Sequence, residues 1–412
     1  MNLIDKINRA LSLGKKANDE IYNINNKIDN KLVFPYSDYN LPILKLTGST
    51  TGMNKDDAVT LNYVYGDKTG TCTLKWQGSS SLAYPKKNYT IKFDSAFEVV
   101  EGWGEQKKYC LKANYIDYSH SRNVVAAKLW GQIVKSRAVK NDKLYNLPNG
   151  GAIDGFPIMV VINNEYQGLY TFNIPKDGWM FNMGDGEKEC VVCAETHCKA
   201  TQFKALCVGD DSDFEFEYVP DEDDYQWAID SLNNLIQTAI LSTGADYKDT
   251  LEPYLDIDSA IDYFIFTCLM CGVDATDKNY LLATFDGVKW FFSAYDLDTV
   301  FGNQWTGKGY YKVTASPTFK SYESLHRVMH LIYDYDTERL KTRYAELRST
   351  VLSENNVLDV MSNFMVSIPK ALKDEEVKIW PGLPGTDTNN LSQIMNYYKL
   401  RCEVLDKEIE AL

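Results

Sequence analysis

Residues 272–302 contain a predicted β-hairpin around which the rest of this chain can be organised. The stretch reads GVDATDKNYLLATFDGVKWFFSAYDLDTVFG. Asp286-Gly287 is the strongest short signal for a tight hairpin turn. Residues 280–285 and 288–294 on either side of it are therefore predicted to pair as antiparallel strands.

An apolar segment of helix length, residues 259–271, precedes this hairpin. Asp258 stands where a helix N-cap is expected and Gly272 where a helix stops. The hairpin is therefore predicted to begin where a buried helix ends.

Acidic and amide side chains flank both strands of the hairpin. Asp274 and Asn279 precede the first strand, and Asp296 and Asp298 follow the second. Because a tight turn brings the outer ends of its two strands together, these side chains are predicted to converge. The structural alternative is that they are ordinary turn formers and helix caps.

The D-x-x-x-x-N spacing of Asp274 and Asn279 is that of the protein-kinase catalytic loop. In that loop the Asp accepts the proton of the substrate hydroxyl and the Asn holds a metal ion. Asp296 then stands where a second ligand is needed, and Asp298 is an alternative or supporting ligand. Carboxylate and amide oxygens suit Mg²⁺.

Composition excludes several classes of function. The chain has 412 residues, of which 44% are hydrophobic and 13% aromatic, so it is globular and long enough for two lobes. A net charge of −14 disfavours binding to nucleic acid. The longest apolar run is too short to span a bilayer, and the N-terminus lacks the apolar core of a secretory signal. We therefore expect a soluble, cytoplasmic protein without a membrane or nucleic-acid partner.

Residues 1–34 form a separate N-terminal segment with two short apolar stripes at helical spacing. The stripes consist of Ile4, Ile7 and Leu11, and of Ala17, Ile21, Ile24 and Ile28. They predict a helix that either forms a coiled coil between copies of the chain or packs on its own domain. Both interpretations stay open.

Residues 35–175 are predicted to form a β-rich lobe. A Gly-Ser-rich turn containing Gly78, Ser79 and Ser80 interrupts the strands, and residues 88–93 resume the alternation. Backbone N–H groups and hydroxyls of such a turn can cover phosphates. Lys92 lies on the resuming strand, as the phosphate-binding lysine of kinases does.

Lys86 and Lys87, together with Lys92, supply the local basic patch that ATP requires. The alternative for these lysines is ordinary solvation. Asp117 precedes an apolar helix at residues 124–134 and is the candidate acidic partner of Lys92, with helix N-capping as its other interpretation.

Two further predictions concern residues 156–172 and a cysteine-rich segment. The former reads as a hairpin that turns at Asn163-Asn164. The latter contains Cys190, Cys193, His197, Cys198 and Cys207. Its C-x-x-C and nearby His suit zinc, but the residues between its cysteines look like a strand and no second C-x-x-C pairs with the first. The odd total of nine cysteines is typical of reduced thiols.

Five blocks of this chain resemble the spore-coat protein H (CotH) family of atypical protein kinases. Besides the hairpin, the similar segments are residues 76–93, 111–130 and 161–172 and the closing helix at residues 397–409. The resemblance implies an α+β, two-lobed, atypical protein-kinase-like fold. Residues 35–175 would form the β-rich N-lobe with an αC-like helix, and residues 176–412 a mainly helical C-lobe.

The same resemblance implies transfer of the ATP γ-phosphate to a protein Ser or Thr. Asp274 would be the base, and Asn279 and Asp296 would hold Mg²⁺ or Mn²⁺. Lys92 would clamp the phosphates, with Gly78, Ser79, Ser80, Lys87 and Asp117 near the nucleotide. One alternative is a non-catalytic structural protein of a spore layer or phage particle that retains the fold. Another is a small-molecule phosphotransferase with the same metal site.

Overall fold

The computed structural model of the chain describes residues 36–184, 186–387 and 389–412. Strands dominate the N-terminal region and helices the C-terminal region, so the fold is α+β as predicted. The helix predicted over residues 1–34, and any assembly through it, lies outside the described residues.

Seven strands of the N-terminal region close into a barrel. They are β1 (Ile43–Thr47), β2 (Val59–Tyr65), β3 (Lys68–Gln77), β4 (Asn88–Phe97), β5 (Gln106–Lys112), β6 (Gly155–Ile162) and β7 (Glu165–Asn173). Their order is β1-β2-β3-β4-β5-β7-β6, and the barrel closes through the parallel pair of β1 and β6. All other neighbours are antiparallel.

Aromatic rings fill one end of the barrel interior. The ring centroids of Tyr63 and Phe93 are 4.7 Å apart, and those of Tyr109 and Phe172 are 4.9 Å apart. Because side chains alternate across a strand, the residues next to these rings point away from the interior. Lys92, the neighbour of Phe93, is accordingly exposed.

The β6–β7 hairpin turns where the sequence predicts. Asn163 and Asn164 have φ values of 52° and 66°, so both are left-handed, which a two-residue type I′ turn requires. Asparagine tolerates this conformation better than most residues. The predicted hairpin over residues 156–172 is confirmed.

A second, antiparallel sheet lies in the C-terminal region. It consists of β8 (Cys190–Ala194), β9 (Phe214–Tyr218), β10 (Tyr280–Thr284) and β11 (Trp290–Ala294), in the order β11-β10-β8-β9. β10 and β11 are the predicted central hairpin, and the turn residue Gly287 has φ +71°. Asp286 Oδ1 accepts hydrogen bonds from Val288 N and Lys289 N, each at 2.9 Å, which stabilises the turn.

Eleven α-helices are described. They are α1 (Arg122–Lys135), α2 (Asp142–Tyr145), α3 (Gln226–Leu241), α4 (Tyr247–Leu251), α5 (Ile257–Met270), α6 (Phe319–Leu325), α7 (Arg327–Tyr335), α8 (Thr337–Ser349), α9 (Glu354–Val366), α10 (Lys370–Ile379) and α11 (Leu391–Glu410). No helix among the described residues combines the length and the apolar character needed to cross a membrane.

Helix α5 forms the centre of the C-terminal region. Every one of its residues except Asp258 is buried, and it contacts β11 and the helices α1, α6, α7, α8 and α11. The predicted N-cap is wrong by two residues, because Asp256 accepts the hydrogen bond from Ser259 N while Asp258 pairs with Arg339. The predicted stop is confirmed: Cys271 is left-handed, and Gly272 follows it.

Candidate active site

The β10–β11 hairpin brings its two polar ends together. Tyr280 pairs with Ala294, so Asn279 and the residues that follow Ala294 lie at the same end of the sheet. Asn279 has φ 56° and Asp296 has φ 53°, so the backbone is left-handed just before one strand and just after the other. Asn and Asp tolerate this conformation because their short polar side chains bond locally.

Asp274 and Asn279 are hydrogen-bonded to each other. Asn279 Nδ2 donates to Asp274 Oδ2 at 2.8 Å. Asp274 lies in a short 3₁₀ turn directly after α5 and Gly272, and its side chain is about one third exposed, at 37%. Since the amide nitrogen of Asn279 is used by Asp274, its Oδ1 is the atom that can bind a cation.

Asp296 and Asp298 add two carboxylates to this end of the hairpin. Burial raises the pKa of Asp298 well above its ordinary value, and the Asp296 and Asp274 carboxylates raise it further. Burial also raises the pKa of Asp274, and Asp296 adds to that shift. These acids are therefore close enough to repel one another, which a bound cation would relieve. The donor set of carboxylate and carboxamide oxygens fits Mg²⁺ or Mn²⁺.

Lys112, at the end of β5, faces these carboxylates from the barrel. Burial would lower the pKa of Lys112, but Tyr295, Asp296 and Asp298 outweigh it and raise the pKa. The ammonium group also lies 5.9 Å from the centroid of the Tyr295 ring. A lysine at this place can neutralise phosphate oxygens bound beside the acids.

The Gly-Ser-rich loop after β3 returns toward the same carboxylates through Tyr84. The Tyr84 hydroxyl donates to Trp305 O at 3.3 Å, and the pKa of Tyr84 is raised by burial and by Asp298. Gly78 has φ +117°, and a Cβ there would lie 2.0 Å from Ser81 Oγ. Ser79 and Ser80 are exposed at the tip of the loop.

A comparison with protein families places most of the chain in one family. The family model described as CotH kinase protein matches residues 74–405, which is most of the chain. The chain belongs to the CotH kinase protein family. The matched region contains all four side chains at the open end of the hairpin, the Gly-Ser-rich loop and Lys112. A search of curated proteins returned no match.

The basic patch predicted for this CotH-family chain is not formed. Lys86 is fully buried and ion-paired with Glu376. Lys87 Nζ donates to the carbonyl oxygens of Leu82 and Tyr84, at 2.6 and 2.5 Å. Lys92 stays on the exposed face of the barrel. The three lysines therefore lie in different environments, whereas Lys112 interacts electrostatically with Asp296 and Asp298.

Asp117 does not pair with Lys92. Its Oδ2 accepts from Arg122 N at 2.9 Å, and its Oδ1 accepts from Arg122 Nη1 at 2.5 Å. Asp117 thus accepts from the first backbone N–H of α1, as a capping side chain does, although Ser121 is the residue at the N-cap position. Burial would raise the pKa of Asp117, but Arg122 and the hydrogen bond from Ser119 hold it below its usual range.

The first two residues of α1 hold the Asp296–Asp298 segment, which sequence analysis missed. Arg122 Nε donates to Val300 O at 3.1 Å, and Asn123 Oδ1 accepts from Leu297 N at 3.0 Å. The available signal in the sequence was that two polar residues, Arg122 and Asn123, begin an otherwise apolar helix. Their partners lie 178 and 174 residues away and cannot be read from local sequence.

The cysteine-rich segment is not a common ligand set in the part of the chain that the structure describes. Cys190 and Cys193 are buried and three residues apart on β8, which places them on opposite faces of the strand. All nine cysteines are free thiols. His197 instead lies between two carboxylates: Nε2 is 3.2 Å from Asp274 Oδ1, and Nδ1 is 2.6 Å from Asp277 Oδ1.

Proposed function

We propose that this CotH-family chain is an atypical protein kinase that transfers the γ-phosphate of ATP to a protein Ser or Thr. One observation carries the proposal: the Asp274 carboxylate accepts a hydrogen bond from Asn279 Nδ2 at 2.8 Å and is close enough to the Asp296 and Asp298 carboxylates for the charges to repel one another. A positioned base next to hard oxygen donors is the arrangement that phosphoryl transfer needs.

Asp274 is the base of the proposed reaction. The acceptor hydroxyl oxygen attacks the γ-phosphorus and forms a new O–P bond, while the bond from that phosphorus to the β–γ bridging oxygen breaks. The hydroxyl proton passes to a carboxylate oxygen of Asp274, and ADP leaves. Burial, which raises the pKa of Asp274, makes it a stronger proton acceptor than an exposed aspartate.

The proposed ligands of Mg²⁺ or Mn²⁺ are Asn279 Oδ1 and the carboxylates of Asp296 and Asp298. When bound, the ion would neutralise phosphate charge and orient the nucleotide. Lys112 takes the role first assigned to Lys92, because it lies on the barrel and the carboxylates of Asp296 and Asp298 attract it.

The barrel and the helical region are proposed to act as the two lobes of a kinase-like fold. The loop with Gly78, Ser79 and Ser80 would cover the phosphates from the barrel side. Support comes from Tyr84, which joins this loop to the segment after β11.

Transfer of radiolabel from [γ-³²P]ATP to generic protein acceptors, with Mg²⁺ or Mn²⁺, tests the proposal. Wild type should label the acceptor, and Asp274→Asn should lose at least about 100-fold in rate, since general base catalysis supplies factors of that order. Asp296→Asn should lose activity together with metal dependence.

The kinase proposal would be contradicted if the wild-type protein transferred no phosphate and its melting temperature did not change when ATP and Mg²⁺ were added. A structural protein of a virion or spore layer that retains the fold would then explain the chain better. Binding of a ligand to the folded state must raise its melting temperature, so the thermal shift reports on the site without requiring the correct acceptor.

A further inference from the structure

His197 lies in the loop after β8 with both ring nitrogens directed at carboxylates. Nδ1 is 2.6 Å from Asp277 Oδ1, and Nε2 is 3.2 Å from Asp274 Oδ1. The side chain is 51% exposed, so packing alone does not hold it. Its position is therefore determined chiefly by these two contacts.

The Asp277 end of this arrangement is rigid. Asp277 is 3% exposed, and its Oδ2 accepts from Gln202 Nε2 at 2.7 Å while its Oδ1 accepts from Thr276 Oγ1 at 3.0 Å. A buried carboxylate that is hydrogen-bonded at both oxygens is a fixed point, so it sets the orientation of the His197 ring.

The backbone around His197 is tied to the strand that carries the site. β8 pairs with β10 from Cys193–Leu281 to Cys190–Thr284, and Asn279 N donates to Ala194 O at 2.8 Å. The sheet therefore fixes the distance between the His197 loop and the Asp274 loop. A histidine in the first loop can therefore reach an aspartate in the second, and Gln202 of the first loop also contacts Asp277 of the second.

We propose that His197 is a positioning residue for the catalytic base, acting with Asp277. His197 holds Oδ1 of Asp274 and Asn279 holds Oδ2, so the carboxylate is restrained at both oxygens. Each oxygen keeps a second lone pair, so one remains available for the acceptor proton. The inference rests on the proposed kinase function, because it needs Asp274 to be the base.

The restraint should affect turnover and not nucleotide binding. His197 contacts Asp274 and Asp277, and neither is assigned to the nucleotide or to the cation. Its loss would let the Asp274 carboxylate rotate about χ2 out of line with the acceptor hydroxyl. Misplacement of a catalytic group by about 1 Å can cost on the order of 100-fold in rate.

Steady-state kinetics of His197→Ala, His197→Gln and Asp274→Asn test the inference. His197→Ala should lower kcat by about 10- to 100-fold with KM for ATP and the melting temperature unchanged. His197→Gln should restore most of the rate, because the glutamine amide can donate from nearly the position of Nε2. His330→Ala is the matched control, since His330 is also partly exposed and contacts Glu323.

The outcomes separate this inference from the function on which it rests. An active wild type, an inactive Asp274→Asn and an unimpaired His197→Ala would overturn the positioning role alone. A loss in His197→Ala that glutamine does not restore, or that a fall in melting temperature accompanies, would also overturn it. Equal activity of wild type and Asp274→Asn would remove the assignment of the base, and the inference with it.

Discussion

Lys86 and Glu376 form a fully buried ion pair although 290 residues separate them in the chain. Glu376 Oε2 also accepts from Leu169 N at 3.2 Å and lies 3.2 Å from His120 Nε2. The pair therefore joins helix α10 to the barrel at the end of the Gly-Ser-rich loop, so the C-terminal region helps to hold that loop in place.

Replacing Glu376 should destabilise the whole fold. Glu376→Gln keeps the shape but leaves the Lys86 ammonium buried without a counter-charge, and breaking a buried pair in this way costs about 3–5 kcal/mol in the free energy of unfolding. Chemical denaturation of purified protein measures the change. In the same helix Asp374 pairs with Lys370, which is 86% exposed, so Asp374→Asn should change stability by no more than about 1 kcal/mol. Equal effects of the two substitutions would contradict the prediction.

The stability of the fold should fall in acid because of the same carboxylate. Burial would raise the pKa of Glu376, but Lys86 and His120 overcome it and lower the pKa from 4.5 to about 2. Burial lowers the pKa of Lys86 against the attraction of Glu376. Lys86 Nζ nevertheless donates to three oxygens, which stabilises the charged form of the pair.

The pKa of Glu376 is lower in the folded state than in the unfolded state. Glu376 therefore stabilises the fold above about pH 4.5, and this contribution is lost as the pH falls toward 2. Denaturation midpoints across this window should therefore fall more steeply for wild type than for Glu376→Gln. Parallel curves would show that Glu376 does not titrate in this way.

Lys112 and Lys92 should differ sharply in their contribution to catalysis. Lys112→Met removes the charge beside Asp296 and Asp298 and should lower kcat/KM for ATP by about 100- to 1,000-fold, as loss of one preorganised charge donor does. Lys92→Met changes an exposed barrel residue and should leave the rate within about twofold, since surface substitutions away from a site are nearly neutral. Phosphate transfer to a generic acceptor measures both. A greater loss in Lys92→Met would restore the assignment made from sequence.

Asn123 should control metal affinity without touching the metal. Asn123→Ala removes the acceptor for Leu297 N, which lies between the two aspartates of the Asp296–Asp298 segment. Loss of a residue that orients ligands typically costs about 10- to 100-fold in metal affinity. Isothermal titration calorimetry of the purified protein with Mn²⁺ measures this affinity. Asn62→Ala on the exposed face of β2 is the control. Unchanged Mn²⁺ affinity in Asn123→Ala would show that Asp296 and Asp298 are held by other contacts.

Elements determined by local chemistry were predictable from the sequence. Asp286-Gly287 specifies a tight turn because glycine accepts a positive φ and the Asp carboxylate bonds the next N–H groups. That turn by itself predicts that Asn279 and Asp296 lie at one end of a hairpin. The Asn163-Asn164 turn followed from an equally short-range signal.

Contacts between distant parts of the chain were decided only by the tertiary structure. Lys92 and Lys112 both point away from the barrel interior, and period-two alternation cannot say which of them meets the acids. Closure of the barrel and its packing on the C-terminal region placed Lys112 there and left Lys92 in solvent. In the same way Asp117 bonds Arg122 and Lys86 bonds Glu376. A side chain's partner across hundreds of residues depends on how whole elements pack, whereas a turn depends on the backbone preferences of a few neighbouring residues.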